Sequence, residues 1–74
     1  MDWQDYIHSV PGILSGKPVI KGTRISVEFL LRLLAAGWTE EQIVENYEGI
    51  SMEALRSIFA YAAEGLNEQI YEFH

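Results

Sequence analysis

A chain of 74 residues is one domain with a modest core, burying roughly 60–65% of the surface that its unfolded form exposes. The lack of cysteine excludes disulfides and thiolate metal sites, and His8 and His74 lie at opposite ends without ligand spacing, so no metal or cofactor is expected. A net charge of −6 excludes a global attraction for nucleic acid, and 49% hydrophobic residues in so short a chain point to oligomerisation or a partner as the missing support.

The first eleven residues hold an aromatic cluster, Trp3, Tyr6 and Ile7, and end at the turn signal Pro11-Gly12. Ile13-Leu14 and Val19-Ile20 flank Ser15-Gly16-Lys17-Pro18, and Arg24-Ile25-Ser26-Val27 follows Lys21-Gly22-Thr23. β-branched residues between glycine and proline predict short strands or an irregular arm over residues 1–25. None is long enough to form a sheet alone, so they must pack on helices or pair with another chain.

From Ser26 to residue 74 the pattern is helical. Ser26 is the N-cap of a first helix, with Glu28 in its first turn. Phe29, Leu30, Leu33 and Leu34 recur at helical spacing, Leu31, Ala35 and Ala36 widen the apolar face, and Gly37 ends it. A helix apolar nearly all round is buried on more than one side. Thr39-Glu40-Glu41-Gln42 is a capping box that opens a second, short helix ending near Tyr47-Glu48-Gly49, with Trp38 and Ile43 as its staple. Ser51 caps a third helix whose inward stripe is Leu55, Ile58, Phe59, Ala62 and Leu66. Ile70 and Phe73 extend that stripe past Gly65.

A short helix, a tight turn and a longer helix, preceded by an apolar helix, is the layout of a helix-turn-helix in a three-helix domain. The predicted fold is mostly α, a homeodomain-like helix-turn-helix behind a short N-terminal β arm or hairpin. The third helix should display Met52, Glu53, Arg56, Ser57, Ala60 and Glu64 outward. Arg56 is its one strong candidate for a base edge, with Ser57 beside it, and an ion pair with Glu53 is the competing role.

Charge is unevenly placed. Residues 1–32 carry Lys17, Lys21, Arg24 and Arg32 against Asp2, Asp5 and Glu28, whereas residues 33–74 carry Arg56 against eight glutamates. Lys17 and Lys21 are the candidates for contact with DNA phosphates. Gly16, Pro18, Gly22, Thr23 and Arg24 are assigned to the arm's structure, Arg24 through a stem packed on the core. Gly12 to Pro18 is not a phosphate loop, because only three residues separate its glycines and Pro18 stands where a hydroxyl would hold magnesium. Tyr61, Glu64, Glu68 and Glu72 are the candidate partner-binding residues. No acid, base, nucleophile or metal set converges, so no enzyme is expected. The apolar run around Leu33–Ala36 is far too short to span a bilayer, and the N-terminus lacks the basic start and apolar run of a signal peptide. A soluble, cytoplasmic protein is expected.

The run Pro11-x-Ile13-x-x-Gly16-Lys17-Pro18-x-Ile20-Lys21-Gly22-Thr23-Arg24-Ile25-x-Val27 resembles domain of unknown function 433. So do Leu34-x-x-Gly37-x-Thr39-x-Glu41-Gln42-Ile43, Tyr47 and Ala60-x-Ala62, and the likeness covers about residues 6–66. It departs at Val10, where Asp is common, and at Ser26, where Pro is common. The resemblance implies a small bacterial or archaeal protein with a homeodomain-like helix-turn-helix behind a β arm. It also implies an antitoxin, often encoded beside a PIN-like nuclease toxin. The function expected is therefore an antitoxin-like homodimer that binds such a toxin through its acidic C-terminal helix and binds operator DNA weakly. The alternative is a protein-interaction or dimerisation module with no DNA role.

Overall fold

Two isoleucines from the arm, Ile7 and Ile20, face each other across a small antiparallel sheet and enter the core together. The computed structural model describes residues 1–66. In it β1 (Ile7–Ser9) pairs with β2 (Pro18–Ile20), with His8 opposite Val19 and Ser9 opposite Pro18. Pro18 opens β2, where its missing N–H costs no ladder bond. The first strand lies inside the segment that had read only as an aromatic cluster. Three residues are too few for alternation to show.

Of Ile13-Leu14, expected to be extended, Ile13 is extended at φ −117° and ψ 118°, but Leu14 is drawn into a turn over Leu14–Gly16. Leu14, Ser15 and Gly16 have φ of 47°, 57° and 84°. Glycine takes that conformation freely, but for the leucine and the serine it costs about 1–2 kcal/mol each.

The caps form where local chemistry placed them. The Ser26 hydroxyl accepts from the Phe29 N–H at 2.9 Å and starts α1 (Val27–Ala35). The Gly37 N–H donates to the Leu34 carbonyl at 3.0 Å and the Trp38 N–H to that of Leu33 at 3.1 Å, which closes α1 with Gly37 at φ 100°. Thr39 and Gln42 exchange bonds of 2.9 and 3.1 Å in the capping box of α2 (Glu40–Asn46). Ser51 accepts from the Ala54 N–H at 3.0 Å at the start of α3 (Met52–Leu66). Gly65 lies within α3; the expected extension to Ile70 and Phe73 falls outside the described residues. Among the described residues no helix is long and apolar enough to cross a membrane.

α3 is the hub, touching the N-terminal turn, β1, α1 and α2. The core is Ile7, Ile20, Val27, Leu30, Ile43, Ile50, Ala54, Leu55 and Ile58. Two expectations about faces are corrected. Only Val27 and Leu30 of α1 are fully buried, and Phe29 is 40% exposed, because β2 and α3 cover one side of the helix in a single copy. On α3 the inward face is rotated toward Ala54 and Ser57, which leaves Phe59 45% and Leu66 65% exposed. Ala54 and Ser57 are both buried, and the Ser57 hydroxyl is satisfied by donating to the Ala54 carbonyl at 2.6 Å.

Candidate protein-interaction surface

Most of the basic residues are already engaged by glutamates. Glu28, in the first turn of α1, accepts from Arg32 Nη2 at 2.9 Å and Nε at 3.2 Å, one helical turn away. Its other oxygen accepts from Lys17 Nζ at 3.2 Å. Arg32 lies four residues along the same helix, whereas Lys17 comes from the segment that follows the turn at Leu14–Gly16. Arg56 reaches Glu40 on α2 at 3.7 Å, not the Glu53 of its own helix. Among the described residues Lys21 and Arg24 make no ion pair, and both are exposed.

The hydrogen bonds of Arg32, then those of Lys17, hold the Glu28 carboxyl below its ordinary range. A depressed folded value means that the stabilisation is complete above the ordinary glutamate range and is lost as pH falls through the lower folded value. Glu28→Gln is therefore expected to flatten the acid limb of the stability curve below about pH 4.5 and to cost little at pH 7, since the charges are exposed. Urea unfolding at a series of pH values checks this; an acid limb unchanged by the substitution contradicts it.

Two site assignments are corrected. Ser57 is 0% exposed and its hydroxyl serves its own helix, so it is closed to DNA. Arg24 does not fix the arm to the helices: it is exposed, and among the described residues it makes no side-chain hydrogen bond. Thr23 instead fixes the arm's own loop. Its hydroxyl donates to the Ile20 carbonyl at 2.8 Å and accepts from the Ile25 N–H at 3.0 Å. Gly22, at φ 82°, turns the loop, and Gly16 ends the left-handed turn before Pro18.

Tyr61 is half-buried, with its ring edge-on to Trp3 at 4.8 Å between centroids. Glu64 accepts the Trp3 indole N–H at 2.7 Å. Both therefore anchor the N-terminus to α3 while keeping an outer edge open. Glu68 and Glu72 lie outside the described residues.

The surface feature that sequence reasoning missed is apolar. Pro18, Val27, Leu31, Ala35 and Tyr61 line an open groove of about 480 Å³ beside α1, and Lys17, Glu28 and Arg32 form its rim. A second, smaller concavity of about 330 Å³ is lined by Leu14, Arg24, Ile25, Ser26 and Phe29. Phe29 stands edge-on to Tyr47 at 5.6 Å. The signal was present in α1, whose apolar residues exceed what one copy of so small a chain can cover. Among the described residues no group of His, Asp or Glu is gathered to hold a metal.

The chain matches the family model "Protein of unknown function (DUF433)" over residues 7–62. It is 34% identical over 59 residues to the uncharacterized protein y4eO of Sinorhizobium fredii (strain NBRC 101917 / NGR234). That match covers 80% of this chain but 27% of the relative, so the chain spans about a quarter of that protein's length. The fold is similar to the crystal structure of a DUF433 member protein from Anabaena variabilis ATCC 29413. The TM-score is 0.79 at 28% identity, over 93% of this chain and 68% of that one. With both strands, α1, α2 and most of α3 inside the matched residues, the chain belongs to the DUF433 family.

Proposed function

We propose that this chain is a non-enzymatic, antitoxin-like adaptor that self-associates and captures a basic nuclease, with DNA contact as a weak, secondary property. The observation that carries the reading is the uncovered apolar surface on a chain of net charge −6, with Phe29, Phe59 and Leu66 exposed beside acidic helices. Phe59 and Leu66 share α3 with the exposed Glu53 and Glu64, and apolar area beside negative charge suits a basic protein surface, since complementary charge speeds encounter and excludes wrong partners. The α2–turn–α3 layout is compatible with a homeodomain-like helix-turn-helix. Its outer helix argues for little autonomous base reading: Glu53 faces outward, Arg56 is paired with Glu40, and Ser57 is buried.

That last observation favours a second reading, a protein-interaction and dimerisation module with no DNA role. A gel-shift titration on the DNA upstream of the chain's own gene separates the two. The adaptor reading expects a weak shift that falls steeply with salt, each phosphate neutralised by Lys21 or Arg24 contributing about −0.9 to the slope of log K on log salt. No shift at micromolar protein, with or without the nuclease, leaves the second reading.

Capture is tested by charge reversal at the acidic end. Lysine at Glu64, Glu68 and Glu72 is expected to weaken binding of the nuclease encoded beside the gene by about tenfold or more, mostly through slower association, with the helical spectrum unchanged. Because Glu64 also holds Trp3, the variant with only Glu68 and Glu72 reversed separates capture from folding. Unchanged nuclease binding in both variants overturns the proposal.

A further inference from the structure

We infer that the face formed by Leu14, Ile25 and Phe29 is a two-fold contact with a second copy of this chain, its rim closed by Arg24 of one copy against Glu48 of the other. The inference rests on the self-association proposed above and names the surface that performs it.

Strain points to the face. Leu14 holds φ 47°, a conformation unfavourable for leucine, yet its side chain is 40% exposed. Burial within one copy therefore does not offset the backbone cost. Strained residues concentrate where a side chain is presented for a purpose. Here the turn presents Leu14 at the edge of the concavity that Ile25 and Phe29 also line. Phe29 is oriented by its edge contact with Tyr47, so the aromatic ring is already set for packing.

Charge identifies the occupant. In a two-fold contact a patch meets itself, so its rim must carry both signs. Thr23 packs against Gly49, whose added Cβ would lie 3.1 Å from the Thr23 methyl. Arg24 follows Thr23 and Glu48 precedes Gly49, so two exposed, opposite charges flank that contact. Among the described residues they form no ion pair with each other. A second copy turned by the two-fold brings each beside its opposite. Lys17, close in the chain to Leu14, is neutralised by Glu28 and does not repel the mate.

The test is molar mass against concentration, by sedimentation equilibrium, with thermal stability measured on the same samples. Leu14→Gly is expected to raise the dimer dissociation constant about tenfold or more while leaving the melting temperature of the monomer unchanged or higher, because glycine relieves the left-handed strain. A structural Leu14 would instead lower it. Arg24→Glu is expected to dissociate the dimer, and Arg24→Glu with Glu48→Arg in one chain to restore it. A wild-type dimer unaffected by Leu14→Gly and Arg24→Glu overturns this face and leaves self-association standing. A dimer broken by Arg24→Glu but not recovered by the swap overturns the pairing with Glu48. A wild-type monomer at every concentration overturns both the face and the self-association reading.

Discussion

Leu55→Ala is expected to remove about 2–5 kcal/mol of folding stability. Leu55 is fully buried at the start of α3, the helix that packs on β1, α1 and α2. A domain of this length holds on the order of 4–11 kcal/mol in total. One truncation therefore removes from about a fifth of that stability to all of it, and at the larger end leaves a substantial unfolded fraction at physiological temperature. The size follows from two terms, the lost transfer of the side chain from water and the cavity left behind. Little can collapse into that cavity, because Ala54 and Ile58 beside it are held by the same packing. Phe59→Ala, one turn along the same helix, is the control. Phe59 is 45% exposed, so its removal is expected to cost clearly less, about 1 kcal/mol. Urea unfolding followed by helical signal compares the two. Equal losses would mean that the face of α3 is wrongly described.

Gly49→Ala is expected to cost about 1–3 kcal/mol, more than Gly37→Ala, although both glycines have positive φ. At Gly37 an added methyl meets open space, so the cost is backbone strain alone. At Gly49 the methyl also meets the Thr23 methyl at 3.1 Å. Thr23 cannot simply rotate away. Its hydroxyl is bonded on both sides, to the Ile20 carbonyl and the Ile25 N–H, and turning it would break the loop between β2 and α1. Part of the cost should vanish in a Thr23→Ser background, where the offending methyl is gone and the hydroxyl remains. A double-mutant cycle measures that part. Full additivity would show that the arm loop and the α2–α3 turn do not press on each other.

Those two positions also mark the boundary between local and non-local information. Ser26, Thr39 and Ser51 were legible as caps because a cap needs only its own hydroxyl and an N–H three residues on. Gly37 was legible as a stop for the same reason. β1 was not, because Ile7 becomes a strand residue only by pairing with Ile20, and nothing within three residues announces a distant partner. Arg56 shows the same limit. Glu53 is the acid its own helix offers, yet the bond goes to Glu40, which packing of α2 on α3 brings closer. Lys17 reaches Glu28 only because Leu14 and Ser15 adopt the conformation that sequence patterns disfavour.

The interaction surface divides in the same way. By itself the sequence determined three capped helices behind a glycine-punctuated arm, an acidic C-terminal half, and the arm motif that marks the DUF433 family. Each of those depends on neighbours in the chain or on composition. Only the tertiary structure decided which faces are covered. It buried Ser57, exposed Phe59 and Phe29, freed Arg24 from the core and assigned the loop's anchoring to Thr23. The reason is that burial is a property of opposed surfaces. Helical periodicity specifies that a stripe exists, but the way α3 packs on its neighbours chooses which stripe goes inside, and here Ala54 and Ser57 lie in the buried one.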